Sequence, residues 1–473
     1  MGFRFPWWVP AALAAFGVRV AAAFSLRPWH DEYFTAWASS LPWGEMVAAL
    51  GWDSGPPLPY VLAKLLSLAG IPPLWAARGV SVVSGTAAVI FVGLAARGAF
   101  GKTQGVLASW LLAFHPLAVL WSAEGRAYGL LGLWVAATLW VCSLASPDRR
   151  RWLWLALFLT AGVYTHALGL AWLLVVFLYG VVRREKPAIC AAGAALAAFL
   201  PWVSVTAQQP PEAVAWMVWS LAELPSWTRW LGAWRLLPPM AGWGLTLEAP
   251  TPPAALQLGA AFLTVSVLVW ARGWPWFLAG LPAAGLTAGG LLGVPVYYPG
   301  RGEAIVLPAF ALLVVSGLET FRRQVAGWLL VAFGAAGSVW AVGYLRASPP
   351  RPEERVATFL RGAPAGVLVT TGWWWLGMRY HLPPSWAVRH VPAAALVHPG
   401  WFAPGREPVS EAEVASVFES LSRAEREGRE AALLVTPGLA EARALQHQAQ
   451  ALGWRRVLVV PGGELWAPGR KNP

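Results

Sequence analysis

Long apolar runs separated by short polar segments occupy the chain up to about residue 347. A helix needs roughly 20 mostly apolar residues to cross a bilayer. We predict spans near residues 6–26, 76–96, 104–122, 127–145, 152–165, 167–182, 188–205, 255–271, 275–293, 303–319 and 326–345. The apolar stretch at 57–70 is too short and is predicted to lie in the interface or to be re-entrant. This pattern predicts a mainly α, polytopic membrane protein of about 11 transmembrane helices.

The pattern changes at about Ser348, where short apolar runs alternate with amphipathic ones. This pattern predicts three short buried strands and, between them, two longer helices. The strand segments are "GVLVTTG", "AALLVTPG" and "RRVLVVPG", and the helical ones are "SEAEVASVFESLSRAEREG" and "LAEARALQHQAQALG". Such alternation favours a small α/β domain with a largely parallel sheet. We therefore predict a membrane domain at 1–347 and a soluble domain at 348–473.

Composition supports membrane residence and excludes several other classes. Hydrophobic residues make up 57% of the 473 positions and charged residues 12%, whereas a soluble domain carries about 25% charged residues. The net charge of +12 is explained by orientation in the membrane, not by nucleic acid. Two cysteines exclude a disulfide framework. The segment 206–254 is rich in tryptophan and is predicted to be an outer interfacial loop.

Short basic loops set the predicted orientation, because lysine and arginine are enriched on the cytoplasmic side. These loops fall between alternate spans and contain Arg97, Lys102, Arg149, Arg150, Arg151, Arg183, Arg184, Lys186, Arg272, Arg322 and Arg323. The N-terminus is therefore predicted to be cytoplasmic and is read as a retained span. The soluble domain and the first outer loop, with its Asp31–Glu32 pair, are predicted to be extracytoplasmic.

Ionisable residues at a membrane edge are functional candidates, and many gather on the predicted outer side. They are Arg19, Asp31, Glu32, Asp53, Lys64, Glu124, Arg126, Tyr128, His166, Tyr297, Tyr298, Arg301 and Glu303. These residues also have simpler explanations. Asp31 and Glu32 could be charges at the edge of a span, Asp53 could cap a helix, and Lys64 could extend to the headgroups. Glu124 and Arg126 could form an ion pair with each other, and His166 could have a structural role in a turn. Their convergence on one face favours a catalytic site.

Carboxylates and arginines at an outer membrane face suit glycosyl transfer from a lipid phosphate. A carboxylate accepts a proton from an acceptor hydroxyl or amine as it attacks the anomeric carbon. Arginines stabilise the departing phosphate through forked hydrogen bonds. No G-x-G-x-x-G fingerprint is present, which agrees with a donor that is not a soluble nucleotide.

An ordered set of motifs resembles the GT-C membrane glycosyltransferases of the protein O-mannosyltransferase and aminoarabinose-transferase type. The motifs are Arg19, the pair Asp31–Glu32, "GPPLPY" at 55–60, Arg78, the stretch from Pro116 to Tyr128, His166, and Arg301 before "LPAFALL". Many relatives have His or Lys directly before "PPL", where this chain has Gly55. The late arginine is usually followed by an aromatic residue, where this chain has Gly302.

The resemblance implies an inverting transfer from a polyprenyl-phosphate sugar at the extracytoplasmic face of a bacterial plasma membrane. Asp31 would be the base, with Glu32 beside it. We assign the donor phosphate to Arg126, Arg301, His166 and Lys64. Supporting roles are assigned to Arg19, Asp53, Glu124, Tyr128 and Tyr298.

Three matters stay open at the level of the sequence. The acceptor is an unknown protein, lipid or glycan bearing a hydroxyl or amine. No cofactor is required, although Asp31, Glu32 and Asp53 offer oxygen ligands to a divalent metal. A transporter or flippase of lipid-linked sugars is the alternative function, and a noncatalytic scaffold is a third reading.

Overall fold

A computed structural model describes residues 6–52, 55–144, 150–207, 234, 237–238, 254–292, 294, 300–392 and 409–469. The chain forms two compact units. The first comprises Met1–Leu26, Ala38–Leu41 and Ser54–Ala347, and the second comprises Arg27–Trp37, Pro42–Asp53 and Ser348–Pro473. The second unit therefore includes the segment that carries Asp31 and Glu32. The Trp-rich loop predicted at 206–254 lies almost wholly outside the described residues.

Helices dominate the chain up to Ala347. They are α1 (Val9–Ser25), α2 (His30–Ser40), α3 (Trp43–Trp52), α4 (Leu58–Leu68), α5 (Pro73–Phe100), α6 (Lys102–Ala113), α7 (Pro116–Ala123), α8 (Tyr128–Ser143), α9 (Arg151–Val163), α10 (Leu168–Arg183), α11 (Lys186–Thr206), α12 (Ala254–Leu268), α13 (Pro275–Leu291), a 3-10 turn (Gly302–Ile305), α14 (Leu307–Ser316) and α15 (Phe321–Ala347). In the first unit, α5 packs against α1, α4, α6, α7, α8 and α14.

Most predicted spans coincide with these helices to within a few residues, and the mainly helical fold is confirmed. Among the described residues, three stretches are long and apolar enough to cross a membrane, within Pro73–Phe100, Lys186–Thr206 and Arg322–Leu360. Two bent helix pairs, α1 with α2 and α6 with α7, raise the number to five if each pair is one span. Shorter apolar helices account for other predicted spans, so the number 11 stays a prediction.

The span predicted at 104–122 is divided into α6 and α7, which meet at an angle of 58°. Proline has no N–H and clashes with the carbonyl four residues earlier, and Pro116 stands at the start of α7. Helices α2 and α3, in contrast, were not predicted. Helix α2 mixes polar and apolar residues, and α3, although apolar, has only 10 residues, so neither shows a spanning run.

A sheet covered by helices forms the core of the second unit. Its elements are α16 (Pro352–Leu360), β1 (Gly366–Thr370), α17 (Trp374–His381), β2 (Trp386–His390), α18 (Glu411–Arg426), β3 (Glu430–Val435), α19 (Ala440–Ala451), β4 (Trp454–Val460) and β5 (Gly463–Pro468). Side chains alternate between its faces, as strand geometry requires. Val367, Val369 and Leu433 enter one apolar cluster, and Leu368 and Leu434 enter the other.

The prediction of a largely parallel sheet is wrong in its second half. The described strands lie in the order β2-β1-β3-β5-β4. Strands β2, β1 and β3 are parallel, whereas β5 runs antiparallel to both β3 and β4. Gly462 has a φ of +72°, so it permits the tight turn that returns the chain as β5. Strand β4, predicted to be buried, is largely exposed at the sheet edge.

Candidate functional site

Arg19 lies where α6 ends, and its contacts are to the backbone. It is fully buried, and its guanidinium donates to Ala113 O at 2.9 Å, Leu112 O at 3.2 Å and Ala15 O at 3.2 Å. Pro116 cannot donate to Leu112 O, four residues earlier, so this carbonyl needs another donor. Because a buried, unsatisfied carbonyl is costly, the side chain of Arg19 stabilises the break between α6 and α7.

Two further cations also bind helix ends. Arg78 is buried and donates to Ala23 O at 2.6 Å and Leu26 O at 3.0 Å, at the end of α1. Lys64 is buried and donates to Ser39 O at 3.4 Å and to Leu41 O, at the end of α2. Cations suit this position because the last carbonyls of a helix carry partial negative charge. These contacts stabilise the ends of α1 and α2, and a role of Lys64 at the donor phosphate stays a prediction.

His166 lies in the turn between α9 and α10, beside the start of α4. The N–H of Leu58, within the "PPL" element, donates to Tyr164 O at 2.9 Å. The N–H of Leu168 donates to Nδ1 of His166 at 3.1 Å. Since Nδ1 accepts this bond, the proton of the neutral ring lies on Nε2, which is left as a donor.

Tyr128 contacts this histidine, and Arg126 and Arg301 act on it electrostatically. The ring of Tyr128 lies 5.3 Å from that of His166, and the guanidinium carbon of Arg301 lies 5.9 Å from the centre of the Tyr128 ring. Burial, and then the positive fields of Arg126 and Arg301, lower the pKa of His166 to about 3. Two guanidinium groups and a neutral ring N–H therefore share one region of the first unit, a combination suited to an anion. We call these four residues the arginine–histidine cluster.

Neighbouring helices hold the two arginines of this cluster by their backbones. Ser81 Oγ, on α5, donates to Arg126 O at 2.8 Å. Trp121 Nε1, on α7, donates to Gly300 O at 2.7 Å and so fixes the turn that leads into Arg301. Both arginines are half-buried. Their positions thus depend on the packing of α5 and α7.

A small cleft within the first unit shares Tyr128 with the cluster. Its lining is mostly small and apolar, and Tyr128 and Arg19 contribute to it. The described lining residues are Arg19, Gly85, Ala88, Leu112, Ala118, Trp121, Ser122, Tyr128, Gly129, Gly132, Ala304, Leu307 and Pro308. The cleft therefore places an apolar surface next to a cationic cluster.

Asp31 and Glu32 belong to the second unit and occupy the first turn of α2. Both residues are buried: 8% of the surface of Asp31 is exposed and none of that of Glu32. Carboxylates in a first helical turn are favoured by the helix dipole. Thr35 Oγ1 donates to the Asp31 carbonyl at 2.9 Å. The Asp–Glu pair is therefore an ordered part of a helix and not a charge at a frayed span end.

Comparison with known proteins bears on the fold. A family model for dolichyl-phosphate-mannose-protein mannosyltransferase matches residues 53–174. ArnT from Cupriavidus metallidurans, bound to undecaprenyl phosphate, superposes with a TM-score of 0.56 at 15% identity over 98% of each chain. Its apo state gives 0.56 at 16% identity, again over 98% of each chain. This chain has the GT-C glycosyltransferase fold.

Another GT-C structure agrees. The archaeal oligosaccharyltransferase AglB from Archaeoglobus fulgidus, in complex with an inhibitory peptide and a dolichol-phosphate, superposes with a TM-score of 0.50 at 13% identity, over 99% of this chain and 74% of that chain. No curated protein matches this chain by sequence. The GT-C resemblance inferred from the motifs is thus confirmed, at the level of the family model and the fold.

Within the GT-C fold, the predicted site residues fall into separate groups. Arg126, Tyr128, His166 and Arg301 form one cluster, whereas Arg19 and Lys64 contact helix ends. Glu124 is buried at the end of α7. Asp53 and Tyr298 lie outside the described residues. Arg78 was noted only as a motif residue, and its structural role was missed because its partners lie more than 50 positions away.

No metal centre emerges from the part of the chain that the structure describes. No group of three or more His, Cys, Asp or Glu side chains in that part is close enough to hold an ion. Asp53, which could bind a divalent metal together with Asp31 and Glu32, lies outside the described residues.

Proposed function

We propose that this protein is a membrane glycosyltransferase that moves a sugar from a polyprenyl-phosphate donor to a hydroxyl or amine acceptor. The observation that carries the proposal is the arginine–histidine cluster beside an apolar cleft, within a GT-C fold. Solved GT-C structures of this fold hold undecaprenyl phosphate or dolichol-phosphate, which supports a polyprenyl-phosphate donor here.

The cluster suits the leaving group of such a reaction. Attack of the acceptor oxygen or nitrogen forms a new bond to the anomeric carbon as the bond from that carbon to the phosphate oxygen breaks. The electron pair leaves with the polyprenyl phosphate, whose negative charge increases. Arg126 and Arg301 stabilise this charge with forked N–H donors. His166 adds an N–H at Nε2 without titrating near neutral pH.

Asp31 is proposed as the base that takes the proton of the acceptor, and Glu32 as its neighbour in the same turn. The support is the resemblance of the motif and the burial of both carboxylates in an ordered helix. An attack from the face opposite the phosphate inverts the anomeric centre. No metal is required by this scheme, because cationic side chains stabilise the phosphate.

We place the reaction at the extracytoplasmic face of a bacterial plasma membrane. The positive-inside distribution of basic loops supports a cytoplasmic N-terminus, about 11 spans, and an extracytoplasmic domain at 348–473. The acceptor is left as a protein, lipid or glycan with a free hydroxyl or amine.

Transport of a lipid-linked sugar is the second candidate, and the bend between α6 and α7 favours it. Broken spans are common in transporters, and the break between α6 and α7 is stabilised by the buried Arg19. The two functions differ in chemistry: a transferase releases free polyprenyl phosphate, whereas a flippase leaves the glycosidic bond intact.

Proteoliposomes supplied with a panel of polyprenyl-phosphate sugars and mixed acceptors test the proposal. The wild type is expected to release polyprenyl phosphate, and Asp31→Asn to lower the release by about a hundredfold or more, the usual contribution of a general base. Lys102→Gln, at the opposite predicted face, is the control and should retain full activity. Undiminished release by Asp31→Asn removes this residue from the base role, and movement of intact donor without release favours the flippase.

A further inference from the structure

The helix that carries Asp31 and Glu32 is packed against the C-terminal segment of the same unit on both sides of the pair. Arg27 lies four positions before Asp31. Its Nη1 donates a hydrogen bond to Glu354 Oε2 at 2.5 Å, and its Nε donates one to Ser348 O at 3.0 Å. Glu354 is mostly buried, with 17% of its side chain exposed. The chain entering α2 is therefore fixed by a charge-assisted bond and a backbone bond.

On the other side of the pair, Tyr33 contacts α17. Its hydroxyl lies 2.6 Å from Nε2 of His381 and donates to Pro28 O at 3.1 Å. A neutral imidazole forms this bond with the hydroxyl in either tautomer. The Tyr33 ring also lies 5.2 Å from that of Tyr380. One side chain of α2 is thus held by two residues of α17.

Two further observations show close packing along the same face. The rings of Trp37 and Trp375 meet edge to face at 6.0 Å. Gly377 has no room for a side chain, since an added Cβ would lie 2.7 Å from Glu353 Cγ and 3.4 Å from Tyr33 Cε2. Close approach of this kind restricts how α2 can move.

The residues that hold α2 are themselves fixed to the sheet domain. Trp375 Nε1 donates to Val388 O, on β2, at 3.2 Å, and Arg361 donates to His381 O at 2.9 Å. Burial, and then Arg361, lower the pKa of His381 to about 4. The imidazole is therefore neutral at pH 7, and its Nε2 atom takes part in the hydrogen bond to Tyr33.

We infer that Glu354 and His381 are positioning residues, through which the C-terminal domain sets the orientation of the Asp31–Glu32 helix for glycosyl transfer. This inference rests on the proposed function. A base must be held in place for catalysis, and a shift of about 1 Å costs on the order of a hundredfold in rate. Bonds on both sides of the carboxylates supply such restraint, and they give the C-terminal domain a role in the reaction.

The test uses the full-length protein with Glu354→Gln, His381→Phe and the double variant. The control is Glu464→Gln, which removes a similar carboxylate, 15% exposed, from its 2.8 Å pair with Arg456 on β4. Hydrogen exchange of the amides of His30–Trp37 is expected to rise several-fold in the double variant and to stay at the wild-type level in the control.

Kinetics separate positioning from a general structural effect. We expect kcat to fall about tenfold for each single variant and further for the double variant, with the donor KM unchanged within about twofold. The inference is overturned if hydrogen exchange of the His30–Trp37 amides is unchanged in the double variant. It is also overturned if exchange becomes faster while kcat stays unchanged, or if only KM changes. A wild type that transfers no sugar contradicts the proposed function instead, and leaves the exchange result to decide whether the C-terminal domain restrains α2.

Discussion

Arg19 and Arg78 differ from Arg126 and Arg301 in what they contact. The first two are almost wholly buried and donate to backbone carbonyls where a helix ends or breaks. The other two are half-buried and lower the pKa of His166, and Arg301 also lies over the ring of Tyr128. Because an arginine in an apolar region must be compensated, its partners indicate its role. Carbonyl partners indicate a structural role, and a shared aromatic and imidazole environment indicates a ligand site.

The largest expected difference between the two groups is in stability. Arg19→Met leaves the carbonyls of Leu112 and Ala113 without this donor, and each buried, unsatisfied carbonyl costs about 1–3 kcal/mol. We expect a loss of about 2–6 kcal/mol or a failure to fold, seen as a lower midpoint of thermal unfolding in detergent. Arg126→Met is the matched variant and should unfold close to the wild type. Equal midpoints for wild type and Arg19→Met contradict the structural role of Arg19.

A smaller effect is expected from crowding Arg19 while it stays in place. A Cβ at Gly85 would lie 1.9 Å from Ser122 Oγ and 3.0 Å from Arg19 Nε. Overpacking of this kind costs about 1–3 kcal/mol, so Gly85→Ala should lower the unfolding midpoint. Gly79, on the same helix, has open space around its Cβ position. Gly79→Ala should therefore unfold at or above the wild-type midpoint, and equal effects of the two substitutions would remove the argument from crowding.

The aromatic ring shared by the cluster gives a subtler test. Tyr128→Leu removes the ring that Arg301 and His166 both face, and a cation–π contact contributes about 0.5–2 kcal/mol. We expect the affinity for polyprenyl phosphate to fall by roughly threefold to tenfold. Arg323 also faces a ring, that of Trp270, at 4.0 Å, so Trp270→Leu is the control and should bind as the wild type does. If Tyr128→Leu binds polyprenyl phosphate with wild-type affinity, the Tyr128 ring does not contribute to the ligand site.

The smallest effect concerns the protonation of His166. Positive neighbours disfavour the charged imidazole, so removing them raises its pKa. In the wild type we expect no titration of His166 between pH 8 and 5, measured by NMR of labelled histidine. In Arg126→Met/Arg301→Met the pKa should rise but stay below 6.5, because burial is the larger cause. An ordinary titration of the wild type near 6.5 would show that neither burial nor the arginines act on this ring.

The sequence predicted the helical framework well, because hydrophobic periodicity depends on local residues. Most described helices up to Ala347 begin and end near the predicted limits. The break at Pro116 was also visible in principle, since a proline leaves the carbonyl of Leu112 without its helical donor. Which side chain replaces that donor was not predictable, since Arg19 is 93 positions away from Leu112.

Other features depended on tertiary contacts that no local pattern contains. Helix α2 mixes polar and apolar residues, and its side chains Tyr33 and Trp37 pack against residues more than 300 positions later. Strand β5 was not predicted, because the last predicted strand segment ended at Gly462 and the chain was not expected to return after this turn. Of the predicted site residues, the structure brings together Arg126, Tyr128, His166 and Arg301, whose roles stay predictions. Arg19 and Lys64 contact helix ends, and the sequence does not distinguish a cation at a helix end from a cation at a ligand.

Equilibrium binding of polyprenyl phosphate to the purified protein tests the central claim most directly, since it requires neither the sugar nor the acceptor to be known. Arg126→Ala and Arg301→Ala should each weaken binding about tenfold or more, because a hydrogen bond to a charged group contributes about 1.5–3 kcal/mol. Arg323→Ala, which also removes an arginine from an aromatic ring, should bind as the wild type does. Wild-type affinity in both cluster variants would contradict the account.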